Sequence, residues 1–298
     1  MTVQTPSLPA SPDSGQLRLI SRSGSRTGVR RLGSALLRSP SLLLAVIILT
    51  TVTVWAIVPD WVAPYDPLTG DASRGLLPPS WAHPFGTDLL GRDILSRVIA
   101  GARTTLLATG FAVTVGGSIG AAIGLISGFA GGPVDAAIMR VVDVFLAVPG
   151  LLLAMTVVTA LGHGTFNVAI AVAVGAVPAF ARIMRAEVVR TKQYDFIEAA
   201  FVFGTRPARM MTRHILPNAS PPVLALAALE LGSAVISVAS LGFLGYGATP
   251  PTPEWGLSVV EGRDLLGPYP WISLLPGVVI TAVVLATNRL STYFADGV

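Results

Sequence analysis

Six apolar stretches of membrane-crossing length constrain the fold of this chain more than any other feature. Each is close to the roughly 20 residues that a helix needs to cross the hydrocarbon core of a bilayer. Backbone polar groups in lipid must be bonded within their own segment, so we expect an all-α bundle of six transmembrane helices. The predicted spans are residues 41–58, 104–129, 134–161, 165–184, 221–246 and 271–287.

The composition agrees with a membrane protein and excludes several other classes. Apolar residues make up 52% of the 298 residues and charged residues 12%, against roughly 25% charged in globular proteins. A soluble fold of this length could not cover its surface with so few charges. The chain has no cysteine, which excludes disulfides, thiolate metal sites and cysteine nucleophiles.

The distribution of basic residues predicts the orientation. The polar, Arg-rich segment 1–38 is expected to be a largely disordered cytoplasmic tail, preceding a transmembrane domain at 39–298. Loop 185–218 is also basic, whereas loops 59–102 and 247–270 are richer in acids, so the positive-inside rule places both termini in the cytoplasm. The net charge of +4 therefore indicates membrane orientation and not nucleic-acid binding. The five tryptophans are expected to anchor the outer interface: Trp55, Trp61, Trp81, Trp255 and Trp271.

The second predicted span carries glycine at every fourth position. Gly116, Gly120, Gly124 and Gly128 stay close to one face of a helix, where small residues let a neighbouring backbone approach. We favour packing within the chain over contact with a second subunit.

The same span contains a match to a serine-hydrolase pattern around Ser118. That pattern requires a strand, a sharp turn and a helix, whereas Ser118 lies in the middle of an apolar helix. An intramembrane protease remains the enzyme alternative, but His163 and His214 are predicted to lie in loops. The histidines show no metal-ligand spacing, and no glycine-rich loop precedes the single lysine, Lys192, so we expect no metal, cofactor or nucleotide site in the chain.

Two acids lie inside predicted spans, where a charge costs about 3 kcal/mol on insertion scales. Arg140 precedes Asp143 by one helical turn, and we favour a structural pair between them over a transport role. Glu230 has no evident partner in the sequence, so it is the better candidate for lining a translocation path. A partner on another subunit would explain it equally well. Pro149 and Pro178 predict bends in the third and fourth spans.

The loop between the fourth and fifth spans predicts a short helix with an apolar face. Asp195 and Glu198 have the spacing of a capping box, and Gly204 has the position of a left-handed helix end. A second short helix is expected to begin at Pro207 and to end at Pro217. From the residues alone, docking into a partner's groove and lying on the chain's own bundle are equally supported. The predicted apolar face consists of Phe196, Ala199, Ala200 and Phe203.

This loop resembles the EAA loop of permease subunits of ATP-binding-cassette importers. The resemblance rests on Glu198-Ala199-Ala200, on Gly204 and on Ile215-Leu216-Pro217. His214 departs from the general importer pattern, but the segment 213–218 is similar to the dipeptide/oligopeptide branch. Further segments typical of the C-type subunit of that branch are His83-Pro84-Phe85-Gly86-Thr87-Asp88, Gly91-Arg92-Asp93, Gly101-Ala102-Arg103-Thr104-Thr105-Leu106, Met139-Arg140-Val141-Val142-Asp143, Leu241-Gly242-Phe243-Leu244-Gly245-Tyr246-Gly247 and Pro253-Glu254-Trp255-Gly256.

The resemblance covers about residues 80 to 280 and implies a type I importer permease fold in the cytoplasmic membrane. It implies a non-catalytic subunit that takes up di- or oligopeptides by alternating access. The implied partners are a second related permease, two ATPase subunits that bind ATP and Mg, and an extracytoplasmic solute-binding protein. The implied coupling residues are Glu198, Ala199, Ala200, Phe203, Gly204, Ile215, Leu216 and Pro217.

One departure and two functional alternatives accompany this resemblance. Relatives often carry a glutamate just before the segment Leu241–Gly245, whereas residues 237–240 contain no acid here, and the acid that precedes them, Glu230, lies about two turns further upstream. An importer of the same class for nickel complexes or another small solute is the first alternative. A secondary transporter that works without ATPase subunits is the second.

Overall fold

The computed structural model describes residues 39–295. All the regular secondary-structure elements in that range are helices. The all-α prediction is confirmed, and the predicted tail 1–38 lies outside the described residues. The helices are α1 (Pro40–Ile57), α2 (Pro59–Val62), α3 (Ile94–Ala130), α4 (Gly132–Ala147), α5 (Gly150–Leu161), α6 (Thr165–Thr191), α7 (Asp195–Val202), α8 (Pro207–Met210), α9 (Leu216–Phe243), α10 (Trp255–Glu261) and α11 (Trp271–Ala295), with a π-helical turn (Met211–Ile215) between α8 and α9.

Within the described residues, five helical segments are long and apolar enough to cross a membrane on their own: α1, α3, α6, the segment Pro207–Phe243 and α11. The predicted third span is not one helix, because α4 and α5 meet at an angle of 94°. Val148 is extended at the break and Pro149 follows it, as expected when proline removes an amide hydrogen and keeps its predecessor out of the helical region. Pro178, in contrast, lies inside the unbroken α6.

Two predicted boundaries are wrong for identifiable reasons. Helix α3 begins at Ile94 and not at residue 104, because the Asp93 side chain accepts the amide hydrogen of Ser96 and starts the helix outside the apolar stretch. Pro217 does not end a helix but lies in the first turn of α9, where its missing amide hydrogen costs little. The preceding π turn continues the helix across this point, with the Leu216 amide bonded to the Met211 carbonyl.

Helices α3 and α6 form the closest packed pair of the bundle. Cβ atoms added to Gly116, Gly120, Gly124 and Gly128 would collide with α6 at Ala173, Val177, Ala181 and Arg185 respectively. Both series advance by four residues in the same direction, so the two helices run parallel with their backbones in close approach. Helix α9 packs against α3, α6 and α11.

The bundle has two contrasting ends. We call the end that carries residues 58–93 and 244–270 the long-loop end, and the end that carries residues 192–215 the Glu198 end. At the long-loop end the Gly164 amide donates to the Tyr246 carbonyl at 2.9 Å. At the Glu198 end, Lys192 Nζ donates to the Phe129 carbonyl at 3.0 Å, which ties the end of α6 to the end of α3.

Candidate functional site

Helix α7 forms at the predicted place, with one difference in how it begins. Asp195 is its first helical residue and not its cap, and the amides of Ile197 and Glu198 both donate to the Tyr194 carbonyl, at 2.9 and 3.3 Å. Gly204 follows the helix with φ of +72°, a backbone conformation that glycine adopts without steric cost. The Thr205 amide closes this end by donating to the Ala200 carbonyl at 3.1 Å.

The predicted apolar face of α7 is divided between the core and the surface. Ala200 packs against the core, where Ile197, a residue outside the predicted face, is only 5% exposed. Phe196 and Ala199 point outward, as do Val202 at 78% exposure and Phe203 at 87%. We call this outward set, three residues of α7 and the residue that follows its end, the α7 apolar face: Phe196, Ala199, Val202 and Phe203.

The remaining predicted coupling residues of this loop differ in how deeply their side chains are buried. Ile215 is buried in the core, Leu216 packs against it, and the Pro217 and Glu198 side chains are exposed. Ile197, Met210 and Ile215 belong to one buried cluster, so the buried side of α7 joins the same core as α8 and the π turn before α9. Three exposed arginines lie nearby without an ion pair to any described residue: Arg206, Arg209 and Arg213.

The structure pairs Asp143 with Arg182 and not with Arg140. Arg182 Nη2 on α6 lies 2.6 Å from Asp143 Oδ1 on α4, and both side chains are more than half exposed. A second pair, Arg185 with Asp135 at 2.5 Å, connects the same two helices closer to the Glu198 end. The predicted pair with Arg140 is wrong because Arg182 reaches Asp143 from a neighbouring helix, 39 residues further along the chain, a contact that local spacing does not reveal. An exposed ion pair within a span is costly against lipid, so this surface of α4 and α6 requires water or protein beside it.

Glu230 lies half-buried on α9, in a cavity of about 150 Å³ between α3, α5, α6 and α9. Among the residues that the structure describes, none forms a hydrogen bond or ion pair with its carboxylate. Ser233 and Ser237 line the cavity on the same helix. The rest of the lining consists largely of small residues: Ala112, Gly150, Ala154, Gly175 and Ala176.

A buried ion-pair network organises the long-loop end. Arg97 is 1% exposed, and its Nη2 atom lies 3.0 and 2.9 Å from the two carboxylate oxygens of Glu261. Arg92 Nε donates to Asp88 Oδ2 at 2.6 Å. Asp88 and Arg92 lie in segments that carry the family resemblance, whereas Glu261 does not, and its pairing with Arg97 spans 164 residues of chain.

A second buried network surrounds the start of α10. The Glu254 carboxylate caps this helix by accepting the amide hydrogens of Gly256 and Leu257, both at 2.9 Å. Burial raises the pKa of the Glu254 carboxyl, and these hydrogen bonds together with that of Thr105 oppose the rise. Trp255 does not anchor the interface as predicted, because this side chain is fully buried within the chain and donates to the Val98 carbonyl at 2.9 Å.

The structure provides no support for the protease alternative. Ser118 lies in the middle of α3, whereas His163 stacks on Tyr246 at the long-loop end and His214 lies in the π turn at the Glu198 end. Among the described residues, no group of three or more potential metal-ligating side chains occurs.

Sequence comparisons connect these features with transport proteins. Residues 120–298 match the family described as "Binding-protein-dependent transport system inner membrane component". The chain is 42% identical over 257 residues to a glutathione transport system permease protein of Escherichia coli, covering 85% of this chain and 83% of the relative. It is 40% identical over 247 residues to a di/tripeptide transport system permease protein of Pseudomonas aeruginosa, covering 81% and 82%. A dipeptide transport system permease protein of Haemophilus influenzae is 37% identical over 260 residues, with 85% and 88% covered.

Solved structures of two ABC transporters are similar in fold. A methionine transporter in an inward-facing conformation matches with a TM-score of 0.54 and 18% identity, covering 67% of this chain and 97% of that one. An amino acid transporter with histidines matches with a TM-score of 0.53 and 19% identity, covering 68% and 95%. At these identities the likeness establishes the type I importer fold alone.

Proposed function

The chain belongs to the family of inner membrane components of binding-protein-dependent transport systems, and we propose that the solute it imports is a small peptide. It is a permease subunit of an ATP-binding-cassette importer, which confirms the resemblance seen in the loop around Glu198. The relatives are named for glutathione, di- and tripeptides, and dipeptides. Those solutes share a free ammonium group and a carboxylate, and this common chemistry supports a peptide substrate for this chain.

Members of this family work with an ATPase and with a solute-binding protein. For this chain we extend that assembly to a second, related permease, two ATPase subunits and one extracytoplasmic binding protein. ATP and Mg are held by the ATPase subunits, and this chain contributes the passage through the membrane without catalysing a reaction.

The α7 apolar face is the observation that carries the coupling role. Val202 and Phe203 are more than three-quarters exposed on a helix whose other side is fastened to the core by Ile197. Large apolar side chains held outward in this way are typical of a docking surface. Helix α7 therefore seats in a groove of an ATPase subunit. When ATP closes the ATPases, the groove moves α7, and Ile197 passes the motion to α9 so that the bundle opens outward.

The proposed orientation places the Glu198 end and both termini in the cytoplasm. The arginines of the long-loop end are largely neutralised by partners, such as Arg97 by Glu261 and Arg92 by Asp88. Those at the Glu198 end include Arg206, Arg209 and Arg213, which keep their charge exposed. Unpaired basic residues beside a span favour the cytoplasmic side.

Variants of the loop test the coupling role. We expect Glu198→Arg and Gly204→Val to abolish uptake at normal membrane levels. The first reverses a charge on the docking helix, and the second forces a branched residue into positive φ. Glu198→Gln and Gly204→Asn are the matched controls, since asparagine tolerates positive φ, and both should retain most uptake. Normal uptake by the Arg and Val variants would refute the role.

A panel of radiolabelled solutes tests the substrate. The complete importer in membrane vesicles should accumulate dipeptides, tripeptides or glutathione, depending on ATP and on the binding protein. Accumulation of nickel complexes without peptides would favour the first alternative. Purification of the chain from mild detergent without any ATPase or second permease would favour a transporter that works alone.

A further inference from the structure

We infer that Glu230, together with Ser233 and Ser237, forms a subsite that binds the ammonium group of the solute during its passage through the membrane. The inference rests on the proposed function and deepens it, because it names the chemical group that the passage itself recognises. Four observations support it: the unpaired charge of Glu230, the cavity beside its carboxylate, the match between hydrogen-bond donors and acceptors, and the access to the cavity from the surface of the chain.

The first observation is the charge of Glu230. The other acids on the described spanning helices have a basic partner: Asp135 pairs with Arg185, Asp143 with Arg182 and Glu187 with Arg190. Glu230 is the exception among the described residues. A carboxylate within a span is expensive unless it faces a cation or a water-filled path. A cation that arrives and leaves with the solute satisfies that requirement without a fixed partner.

The second observation is the room around the carboxylate. The neighbouring helices present Gly150, Ala154, Gly175 and Ala176 to this cavity, so no large side chain fills the space. The cavity of about 150 Å³ lies within this single chain, and it is large enough to hold an ammonium group together with the atoms that carry it.

The third observation is the match between donors and acceptors. Ser233 and Ser237 lie three and seven residues after Glu230, so the three side chains share one face of α9. The Ser237 hydroxyl donates to the Ser233 carbonyl at 2.9 Å, which leaves its oxygen lone pairs available as acceptors. An ammonium group has three donors and no acceptor, and a carboxylate beside hydroxyl oxygens provides the complementary set.

The fourth observation is access from the surface of the chain. Gly150, which lines the cavity, begins α5 immediately after the break between α4 and α5, and residues 143–152 are exposed on this chain. Non-helical backbone at membrane depth is tolerated only where protein covers it or water lies against it. The exposed Asp143–Arg182 ion pair lies near this opening, since Arg182 is about 10 Å along α6 from Gly175, which also lines the cavity. The cavity therefore reaches the surface of the chain at a break in the helix, within about two turns of an exposed ion pair.

The absence of cysteine from the sequence permits a direct test. In the assembled importer in membrane vesicles, Ser237→Cys introduces a single thiol into this chain. We expect it to react about tenfold faster with a cationic methanethiosulfonate reagent than with an anionic one, because Glu230 attracts the cation. Adding Glu230→Gln should abolish that preference, and a dipeptide with its binding protein and ATP should slow the labelling. Ile119→Cys, on an apolar groove between α3, α4 and α6, is the matched control and should not react.

Uptake provides the second arm of the test. We expect Glu230→Gln to lower the initial rate of dipeptide uptake about tenfold, corresponding to about 1.4 kcal/mol. Glu230→Asp should recover part of the rate, and the partner subunits should co-purify with both variants in normal amounts.

Three outcomes would overturn the subsite: an unreactive Ser237→Cys, a charge preference that survives Glu230→Gln, or wild-type uptake by Glu230→Gln. Loss of the second permease from the Glu230→Gln complex would also overturn it, in favour of a fixed partner across the subunit interface. Failure of the wild-type importer to accumulate any peptide would refute the proposed function instead. The reagent preference at Ser237→Cys would still report on the charge of the cavity in that case.

Discussion

A network of charged side chains around Arg97 is buried at the long-loop end, whereas the α7 apolar face projects outward at the Glu198 end. Arg97 and Asp88 are at most 4% exposed and have partners within the chain, while Phe203 is 87% exposed and has none that the structure describes. Polarity alone would predict the opposite arrangement. The difference is that the Arg97 network finds its partners within this chain, whereas the α7 apolar face is left for the proposed ATPase subunit to cover.

The largest effect on stability should follow from breaking the buried network. Arg97→Ala removes one of the two buried arginines that pair with Glu261 and Asp88 and leaves only Arg92 to neutralise them, and we expect a loss of about 3–5 kcal/mol. Thermal unfolding of the purified importer, or the yield of folded chain, measures this. Arg263→Ala is the control, because the Arg263–Asp264 pair is exposed and should contribute less than about 1 kcal/mol. Equal effects of the two variants would contradict the contrast between the ends.

The next largest effect concerns the helix pair that connects the two ends. A Cβ atom at Gly124 would lie 2.9 Å from the Arg185 amide nitrogen and would collide with the Ala181 carbonyl, so Gly124→Ala should cost about 1–3 kcal/mol. Gly110→Ala, on the same helix with nothing within 4 Å, should have no cost and may be compared directly in the same unfolding assay. A cost at Gly110 equal to that at Gly124 would exclude close packing of α3 on α6 as the cause.

A smaller effect, which depends on pH, is expected at Glu254. Burial raises the pKa of the Glu254 carboxyl in the folded state. The contribution of this group to the free energy of unfolding is therefore fully present below the ordinary pKa of glutamate and is lost as the pH rises through the raised pKa. Glu254→Gln removes this titration. The stability of the wild type relative to Glu254→Gln should therefore fall as the pH rises above the ordinary pKa of glutamate. A relative stability that rises with pH would contradict the assignment.

The smallest effect on stability should occur at the Glu198 end, together with the largest loss of assembly. Phe203→Ser should change the unfolding free energy by less than about 0.5 kcal/mol, since the side chain is already exposed. Co-purification of the ATPase should nevertheless be lost. Ile197→Ser, on the buried side of the same helix, is the matched comparison and should destabilise the chain by about 2–5 kcal/mol. Retention of the ATPase by Phe203→Ser would remove the α7 apolar face from the docking surface.

Much of the fold and part of the candidate site follow from local sequence patterns. Apolar stretches predict the spans because a helix must be long and apolar enough to cross the bilayer. Both properties depend only on residues that follow one another in the chain. The short helix at Asp195–Val202 and the positive φ of Gly204 also follow from local pattern and backbone sterics. The exact helix starts do not, since Asp93 begins α3 outside the apolar stretch.

Partners of charged and aromatic side chains depend on which helices become neighbours. The sequence by itself therefore determined an all-helical membrane permease, its short helix Asp195–Val202 and the acids within its spans. Only the tertiary structure decided that Asp143 pairs with Arg182, that Trp255 is buried, and that Arg97 meets Glu261 across 164 residues of chain. The physical reason is one of range: helix formation and membrane partitioning depend on residues within a few turns, whereas an ion pair or a buried indole depends on contacts between distant segments.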